Sequence, residues 1–249
     1  MTNRIITIIF LVCFLPSIGS TEELEGDYLY KVTTIRAATG ALADLLEWEA
    51  QLQASEYYED AGQDRPLLMR HSQGDQWDLM VIVPMQSWSD YHSQGAKKKR
   101  IAASTRHAEL ITAGQRFFAF YEDHFAYGPP WSAVADAYAD NGFFHIEMFK
   151  AAPGKAQELL GQRRMENNYL ASTGQTPNMI FRRAAGSDVD VFTIGFHPGF
   201  EAFAAPAAAT IAEKEAAAKA AGFEGLADLS FYLRSLISGH HDTLATKVD

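Results

Sequence analysis

The stretch YLYKVTTIRAATGALADLLE at residues 28–47 has a counterpart in FFHIEMFKAAPGKAQELLG at residues 143–161. Both begin with an aromatic-rich run typical of a strand and pass through a turn of small residues that contains Gly40 or Gly154. Both then continue in an apolar run typical of a helix. Because self-similarity along a chain marks a repeated structural unit, this pair predicts two copies of one unit.

A second matched pair follows each of these stretches. RHSQGDQWDLMVIVPMQSWSDY at residues 70–91 matches RRAAGSDVDVFTIGFHPGFEAF at residues 182–203, with Gly74 in the place of Gly186. These segments predict a hairpin in each copy, since glycine supplies the positive φ of a tight turn. We expect an ion pair across each hairpin that fixes its register, formed by Arg70 with Asp78 and by Arg182 with Asp190.

Each copy has the same predicted order of elements. In the first copy we expect a strand over 28–36, a helix over 39–57, a hairpin over 67–83, a helix over 87–116 and a strand over 117–125. In the second we expect a strand over 143–150, a helix over 155–170, a hairpin over 179–196, a long Ala-rich helix over 200–233 and a short strand over 236–245. This order is β-α-β-β-α-β, the split βαβ or ferredoxin-like plan, and the predicted fold class is α+β.

The ends of the chain and its centre set the predicted boundaries. We expect a signal peptide over 1–20, one repeat over 21–127, a linker over 128–140 that begins with Gly and Pro, and a second repeat over 141–249.

The signal peptide is predicted from one basic residue, Arg4, a short apolar run over 5–15 and small residues up to Ser20. The run has about a dozen residues, whereas a membrane span needs about 20. An uncleaved anchor helix is the alternative. We therefore expect an exported protein, periplasmic or secreted, with no stable membrane insertion after cleavage.

Composition removes several classes of chemistry. The one cysteine of the chain, Cys13, lies inside the predicted leader, so the mature part has no thiolate for catalysis, disulfides or cysteine-rich metal sites. The net charge of -10 opposes binding to nucleic acid. The expected partner is a small molecule, and a monomer and a homo-oligomer both remain open.

On these elements and their repetition the chain resembles the dimeric α/β-barrel superfamily in its tandem-fused form, with NIPSNAP-like and antibiotic-biosynthesis-monooxygenase-like branches as the nearest. In that superfamily two ferredoxin-like units pair their sheets into a barrel, with helices outside. The resemblance implies an internal pseudo-dimeric barrel, with a ligand inside it or between sheet and helices. Some branches use haem.

The first strand of the second copy carries one pair of candidate residues. Alternation along a strand places Phe144, Ile146 and Met148 on one face, which we expect to pack on the helices. His145 and Glu147 then face the barrel interior. They form a proton-transfer pair, two metal ligands, or a hydrogen-bonded pair in a polar interior.

The last strands of the two copies carry a second group of candidates. YEDHFAYG in the first copy matches SGHHDTLA in the second, which aligns His124 with His241. Tyr121, His124 and His241 are candidate ligand-binding residues. His240, His241 and Asp242 offer groups of the kinds that bind metals, although neighbouring strand residues point to opposite faces.

Two functions are consistent with these residues. The first is an exported small-molecule-binding protein of the dimeric α/β-barrel type. The alternative is a cofactor-independent or haem-linked oxidoreductase of the monooxygenase type. A haem or metal cofactor is compatible with the histidines, and no sequence motif assigns either.

Overall fold

A computed structural model describes residues 21–248 of the protein; the predicted signal peptide lies outside these described residues. The first half contains α1 (Thr21–Leu24), β1 (Tyr28–Ala37), α2 (Leu42–Ala54), α3 (Tyr57–Ala61), β2 (Leu67–Gln73), β3 (Leu79–Gln86), α4 (Trp88–Tyr91), α5 (Gln94–Arg106), α6 (Ala108–Gln115) and β4 (Phe118–Gly128). The second half contains α7 (Trp131–Asp140), β5 (Phe143–Ala151), α8 (Ala156–Ser172), β6 (Met179–Gly186), β7 (Val191–His197), α9 (Phe200–Ala204), α10 (Ile211–Ala221), α11 (Asp228–Leu236) and β8 (Ile237–Lys247).

The strands form a closed barrel in the order β1-β3-β2-β8-β5-β7-β6-β4. Each half contributes one four-stranded antiparallel sheet, β4-β1-β3-β2 and β8-β5-β7-β6. Antiparallel pairing of β2 with β8 and of β4 with β6 joins the two sheets. The predicted α+β architecture of two β-α-β-β-α-β repeats in one internal pseudo-dimeric barrel is confirmed.

The matched aspartates of the two hairpins have the same role in both halves. Asp78 accepts a hydrogen bond from the backbone N–H of Ala37, and Asp190 accepts one from Ala151, each at 2.8 Å. The predicted ion pair between Arg70 and Asp78 is wrong, because Arg70 lies opposite Leu79. Likewise Arg182 lies opposite Val191. Asp78 pairs with Arg36, and Asp190 pairs with Arg183. These aspartates therefore attach each hairpin to the end of the neighbouring strand.

The long predicted helices are shorter in the structure. Residues 200–233 form parts of three helices, because Pro206 lies in the break after α9 and Gly222 ends α10 in the left-handed conformation at φ +106°. A capping box between Thr210 and Glu213 begins α10. Residues 87–116 are divided in the same way, with Ser87 and Ser93 as side-chain N-caps of α4 and α5.

The barrel interior is packed with apolar side chains from both halves. Phe144, Ile146 and Met148 lie in this interior cluster together with Phe181 and others. The predicted orientation of β5 is therefore wrong: the apolar face lines the barrel, and His145 and Glu147 face outward towards the helices. The physical reason is that the closed barrel is the larger apolar core, whereas the helix layer of the second half contains a buried charged residue, Arg163.

Helix α7 covers one end of the barrel. It lies within the segment predicted as a linker, and its Val134 is fully buried against the interior cluster. Tyr138 stacks on Phe144 at a ring-centroid distance of 5.4 Å and donates a hydrogen bond from its hydroxyl to the carbonyl of Leu68 at 2.7 Å. The opposite end of the barrel is not covered by this helix.

Within residues 21–248, no helix is both long enough and apolar enough to span a bilayer.

Candidate functional site

The uncovered end of the barrel forms a pocket between the two hairpins. The hairpin turns β2–β3 and β6–β7 both bend over this end, where β1 and β5 finish and β4 and β8 begin. The pocket has a volume of about 260 Å³. Side chains from both halves line it, including Trp77, Phe120, Glu122, His124, Met148 and His241. We call this site the mouth pocket.

Close backbone packing holds the hairpins in place over the pocket. Gly74 and Gly186 both have positive φ, +120° and +82°. A Cβ on Gly74 would clash with the backbone of Asp242, and one on Gly186 would clash with that of Asp123. Each glycine therefore allows a hairpin of one half to lie directly against the last strand of the other.

His124 is the buried imidazole of the mouth pocket. It is 4% exposed, and its ring contacts Phe192 edge-on at a centroid distance of 5.6 Å. Burial lowers the pKa of His124 from 6.5 to about 4, so the imidazole is neutral at neutral pH. Its Nε2 atom is buried and has no hydrogen-bond partner. A buried polar atom without a partner is costly, which makes His124 a candidate binding group.

His241 lies at the rim of the same pocket and is paired with an aspartate. Its Nδ1 is 3.3 Å from an Asp75 carboxylate oxygen, and the other oxygen of Asp75 accepts a hydrogen bond from Trp77 Nε1 at 3.0 Å. On the opposite hairpin, Asp188 pairs with Lys150 at 2.6 Å. The rim thus combines carboxylates with an aromatic ring.

The structure corrects the alignment of His124 with His241. His124 pairs with Val32 of β1, whereas the residue that pairs with the equivalent Ile146 of β5 is Thr243. His241 lies two residues before Thr243 and therefore on the same face of β8. The two histidines are therefore not related by the pseudo-two-fold axis, although both line the mouth pocket.

A second polar group lies on the outer face of the second sheet. His145 Nε2 and Asp242 Oδ1 are 2.7 Å apart, and His240 Nε2 lies 3.4 Å from Glu147 Oε1. His240 stacks on Phe149 at a centroid distance of 4.8 Å. We call His145, Glu147, His240 and Asp242 the outer cluster. It separates the predicted metal candidates, because His240 and Asp242 face outward and His241 faces the mouth pocket.

Arg163 of α8 fixes the inner side of the outer cluster. Its guanidinium contacts Glu166, donates to Gln162 Oε1 at 2.7 Å and lies 3.4 Å from Glu147 Oε2. Burial alone raises the pKa of Glu147, but the neighbouring His240 imidazole and the Arg163 guanidinium outweigh it and lower the pKa. Burial raises the pKa of Glu166. Glu147 is thus held as a carboxylate.

Sequence reasoning missed Arg163, and one signal was available. Arg163 follows Leu159 by one helical turn on the face of α8 that packs on the sheet. A charged residue on such a face predicts an opposite charge beneath it.

Tyr121 lies away from the histidines with which it was grouped. Its side chain is 61% exposed on the outer face of β4, and its ring is 6.2 Å from that of Phe118. It lines a surface groove of about 630 Å³ that also contains Trp48 and Ile111. None of the residues that line this groove is an imidazole or a carboxylate, so it offers no acid–base or metal-binding group.

Haem does not fit either polar site. The mouth pocket, at about 260 Å³, is below the range of about 300–1,000 Å³ for small-molecule sites in general, and a porphyrin needs more room than most. On the outer face, the fully buried Arg163 and its partners occupy the space between sheet and α8. We therefore derive no chemistry from a haem group.

Comparisons with known proteins relate the chain through its fold. No protein-family model matches the sequence, and no curated protein matches it significantly. Among solved structures, an anthrone oxidase-like protein has a TM-score of 0.52 at 12% identity, covering 90% of this chain and 92% of that one.

Two further structures give the same result. A candidate monooxygenase from Lactobacillus acidophilus NCFM has a TM-score of 0.50 at 9% identity, covering 90% of this chain and 95% of that one. A candidate monooxygenase from Fusobacterium nucleatum subsp. nucleatum ATCC 25586 has a TM-score of 0.52 at 8% identity, covering 89% of this chain and 92% of that one. At such identities the likeness shows a common fold.

Proposed function

Because the chain has the tandem-fused dimeric α/β-barrel fold with an uncovered end, we propose that it binds a small aromatic molecule with a cationic or hydrogen-bond-donating group in the mouth pocket. The observation that carries this proposal is His124, a buried neutral imidazole whose Nε2 has no partner beside a pocket of about 260 Å³.

The shape of the pocket supports a small, planar ligand. Trp77 and Phe120 offer aromatic surface on one side, and Met148 and Val189 offer apolar surface on the other. Flat rings pack favourably on such surfaces, and the volume limits the ligand to roughly a bicyclic ring with a short side chain.

The charge of the rim supports the polar half of the ligand. Asp75, Glu122 and Asp188 line the pocket, and two of these carboxylates have partners in His241 and Lys150. Glu122 is exposed, and no ion pair involves it among the described residues. An ammonium group at this rim would gain a charge-assisted hydrogen bond to Glu122.

Isothermal titration calorimetry with three indole probes tests the proposal. We expect tryptamine, a cation, to bind more tightly than indole, and indole-3-acetate, an anion, to bind least. Glu122→Gln should weaken tryptamine binding by about tenfold, the loss expected for one charged contact of about 1.4 kcal/mol. Glu109→Gln on α6 is the matched control and should change nothing. Equal binding of all three probes, or no binding of any, would contradict the proposal.

Oxidation of the bound ring is a second candidate function. It is favoured by the names of the three fold neighbours, which include an anthrone oxidase-like protein and candidate monooxygenases. The neutral imidazole of His124 would accept a proton from the ring, and dioxygen would be the oxidant, with one oxygen atom transferred to the ring and the other released as water. Incubation with 1-naphthol, a two-ring phenol of the size that the pocket admits, in air, followed by chromatography for 1,4-naphthoquinone, tests this function, and unchanged 1-naphthol would leave binding as the role.

We also propose that the protein is exported to the periplasm or secreted. The apolar run over 5–15 and the small residues before residue 20 support this proposal. Cell fractionation and N-terminal sequencing test it: a mature N-terminus near Thr21 is expected, and a cytoplasmic chain that begins at Met1 would contradict it.

A further inference from the structure

We propose that the outer cluster binds one divalent transition-metal ion, such as zinc, through His145, Glu147 and Asp242, with His240 as a fourth ligand. This site lies on the helix-facing side of the second sheet and is separate from the mouth pocket. It does not depend on the proposed function.

Three donor atoms of the outer cluster lie close to one another. One ligand atom from each of His145, Glu147 and Asp242 lies within 4.8 Å of the others. Bonds from zinc to imidazole nitrogen or carboxylate oxygen are about 2.0–2.2 Å, so two ligand atoms of one ion lie about 3–4 Å apart. Small rotations of the partly exposed His145 and Asp242 side chains would close the site. Glu147 and Asp242 are directly paired across β5 and β8, and His145 and His240 flank them.

The equivalent positions in the first half hold an ion pair. Counted back from the equivalent Ala37 and Ala151, Lys31 corresponds to His145 and Thr33 to Glu147. Asp123, which pairs with Thr33, corresponds to Asp242. In the first half the Lys31 ammonium lies 3.6 Å from Asp123, and Thr33 donates a hydrogen bond to the same carboxylate. The first half thus supplies its own cation at this place.

The second half replaces that cation with metal-binding groups. An imidazole stands in place of the lysine and a carboxylate in place of the threonine, so the cluster gains one negative charge and loses one positive charge. Arg163 compensates Glu147 and also contacts Glu166, but it forms no ion pair with Asp242. Among the described residues Asp242 is paired with the His145 imidazole alone, and a divalent cation bound by both groups would neutralise the negative charge of its carboxylate.

The types of donor identify the class of metal. Two imidazoles with two carboxylates suit zinc, manganese or ferrous iron, whereas calcium and magnesium prefer all-oxygen sites. His240 would bind through Nε2, which is buried without a hydrogen-bond partner and lies 3.4 Å from Glu147 Oε1. The metal ion would enter from solvent on the side of Asp242, whose side chain is 55% exposed.

Cobalt and zinc titrations of the chelator-treated mature protein test the inference. We expect one equivalent of Co²⁺ to produce visible d–d absorption, and Zn²⁺ to displace it. Asp242→Asn and His145→Gln should each weaken Zn²⁺ binding at least about tenfold. The matched control is Asp123→Asn, which removes the equivalent carboxylate of the first half and should leave Zn²⁺ binding unchanged. Thermal denaturation without metal establishes that each variant is folded.

Two results would overturn the inference. One is the absence of d–d absorption at stoichiometric Co²⁺. The other is an equal loss of Zn²⁺ binding in Asp123→Asn and Asp242→Asn, which would mean that surface carboxylates bind the ion without a defined site.

Discussion

His124 and Thr243 occupy equivalent positions in the two halves, and each has a buried side-chain atom without a hydrogen-bond partner inside the barrel. His124 pairs with Val32 and Thr243 with Ile146, at the same point of their sheets. The unpartnered atoms are His124 Nε2 and Thr243 Oγ1. The internal symmetry thus places two unsatisfied polar groups at equivalent points of the barrel interior.

Thr243→Val should stabilise the protein without ligand by about 1 kcal/mol. The substitution keeps the shape of a side chain that is 1% exposed and removes an unpartnered hydroxyl from the interior. Urea unfolding followed by circular dichroism measures the change. A loss of stability of similar size would mean that the hydroxyl has a partner in solution.

His124 should make stability depend on acid. Its pKa is lowered by burial from 6.5 to about 4 in the folded protein, so between these values the unfolded chain binds the extra proton. The contribution of His124 to stability is therefore complete above pH 6.5 and falls as the pH decreases towards 4, by about 3 kcal/mol in all. Urea unfolding at several pH values measures this, and His124→Leu should flatten that part of the curve. An unchanged slope in the variant would exclude His124 as its source.

Glu49 should have the opposite effect at higher pH. This residue of α2 is 4% exposed, and burial raises its pKa from 4.5 to about 7. Between these values the folded protein holds the extra proton, so stability falls as the pH rises from 4.5 through 7. Glu49→Gln should remove this loss and stabilise the protein by about 1–3 kcal/mol at pH 8. Thermal unfolding at pH 5 and pH 8 checks it: equal shifts at both pH values would contradict the assignment.

Arg163→Met should destabilise the protein by about 3–5 kcal/mol. It leaves Glu147 buried opposite no positive charge, and removal of one partner of a buried pair has a cost of this size. Adding Glu147→Gln should restore part of the loss, because the uncompensated charge is then gone. Chemical denaturation of the single and double variants forms the test, and strictly additive losses would show that the two residues are not coupled.

The repeated unit and its element order could be predicted from the sequence, and the closed barrel was implied by the resemblance to the dimeric α/β-barrel superfamily. The matched stretches preserve glycines such as Gly74 and Gly186, which are needed for close packing of the hairpins and occur at the same point in both copies. Such local requirements appear directly in a sequence.

The orientation of β5 could not be predicted in this way. Alternation shows that His145 and Ile146 face opposite sides, but it does not show which side is the barrel. The alignment of His124 with His241 failed because the similar motifs in β4 and β8 are shifted by two residues relative to their structural equivalence. This shift is evident only from the pairing of β4 with β1 and of β8 with β5, which makes His124 equivalent to Thr243. The spacing of Arg163 from Leu159 indicates that it faces the sheet, but its partner Glu147 comes from another element and is not evident from that spacing.

Imidazole nitrogen NMR during titration with tryptamine tests the central claim most directly. The account predicts that the His124 and His241 ring signals shift together and saturate, while those of His92 and His107, which lie outside the mouth pocket, stay in place. Unchanged His124 and His241 signals at saturating tryptamine, or shifts confined to His92 or His107, would contradict binding in the mouth pocket.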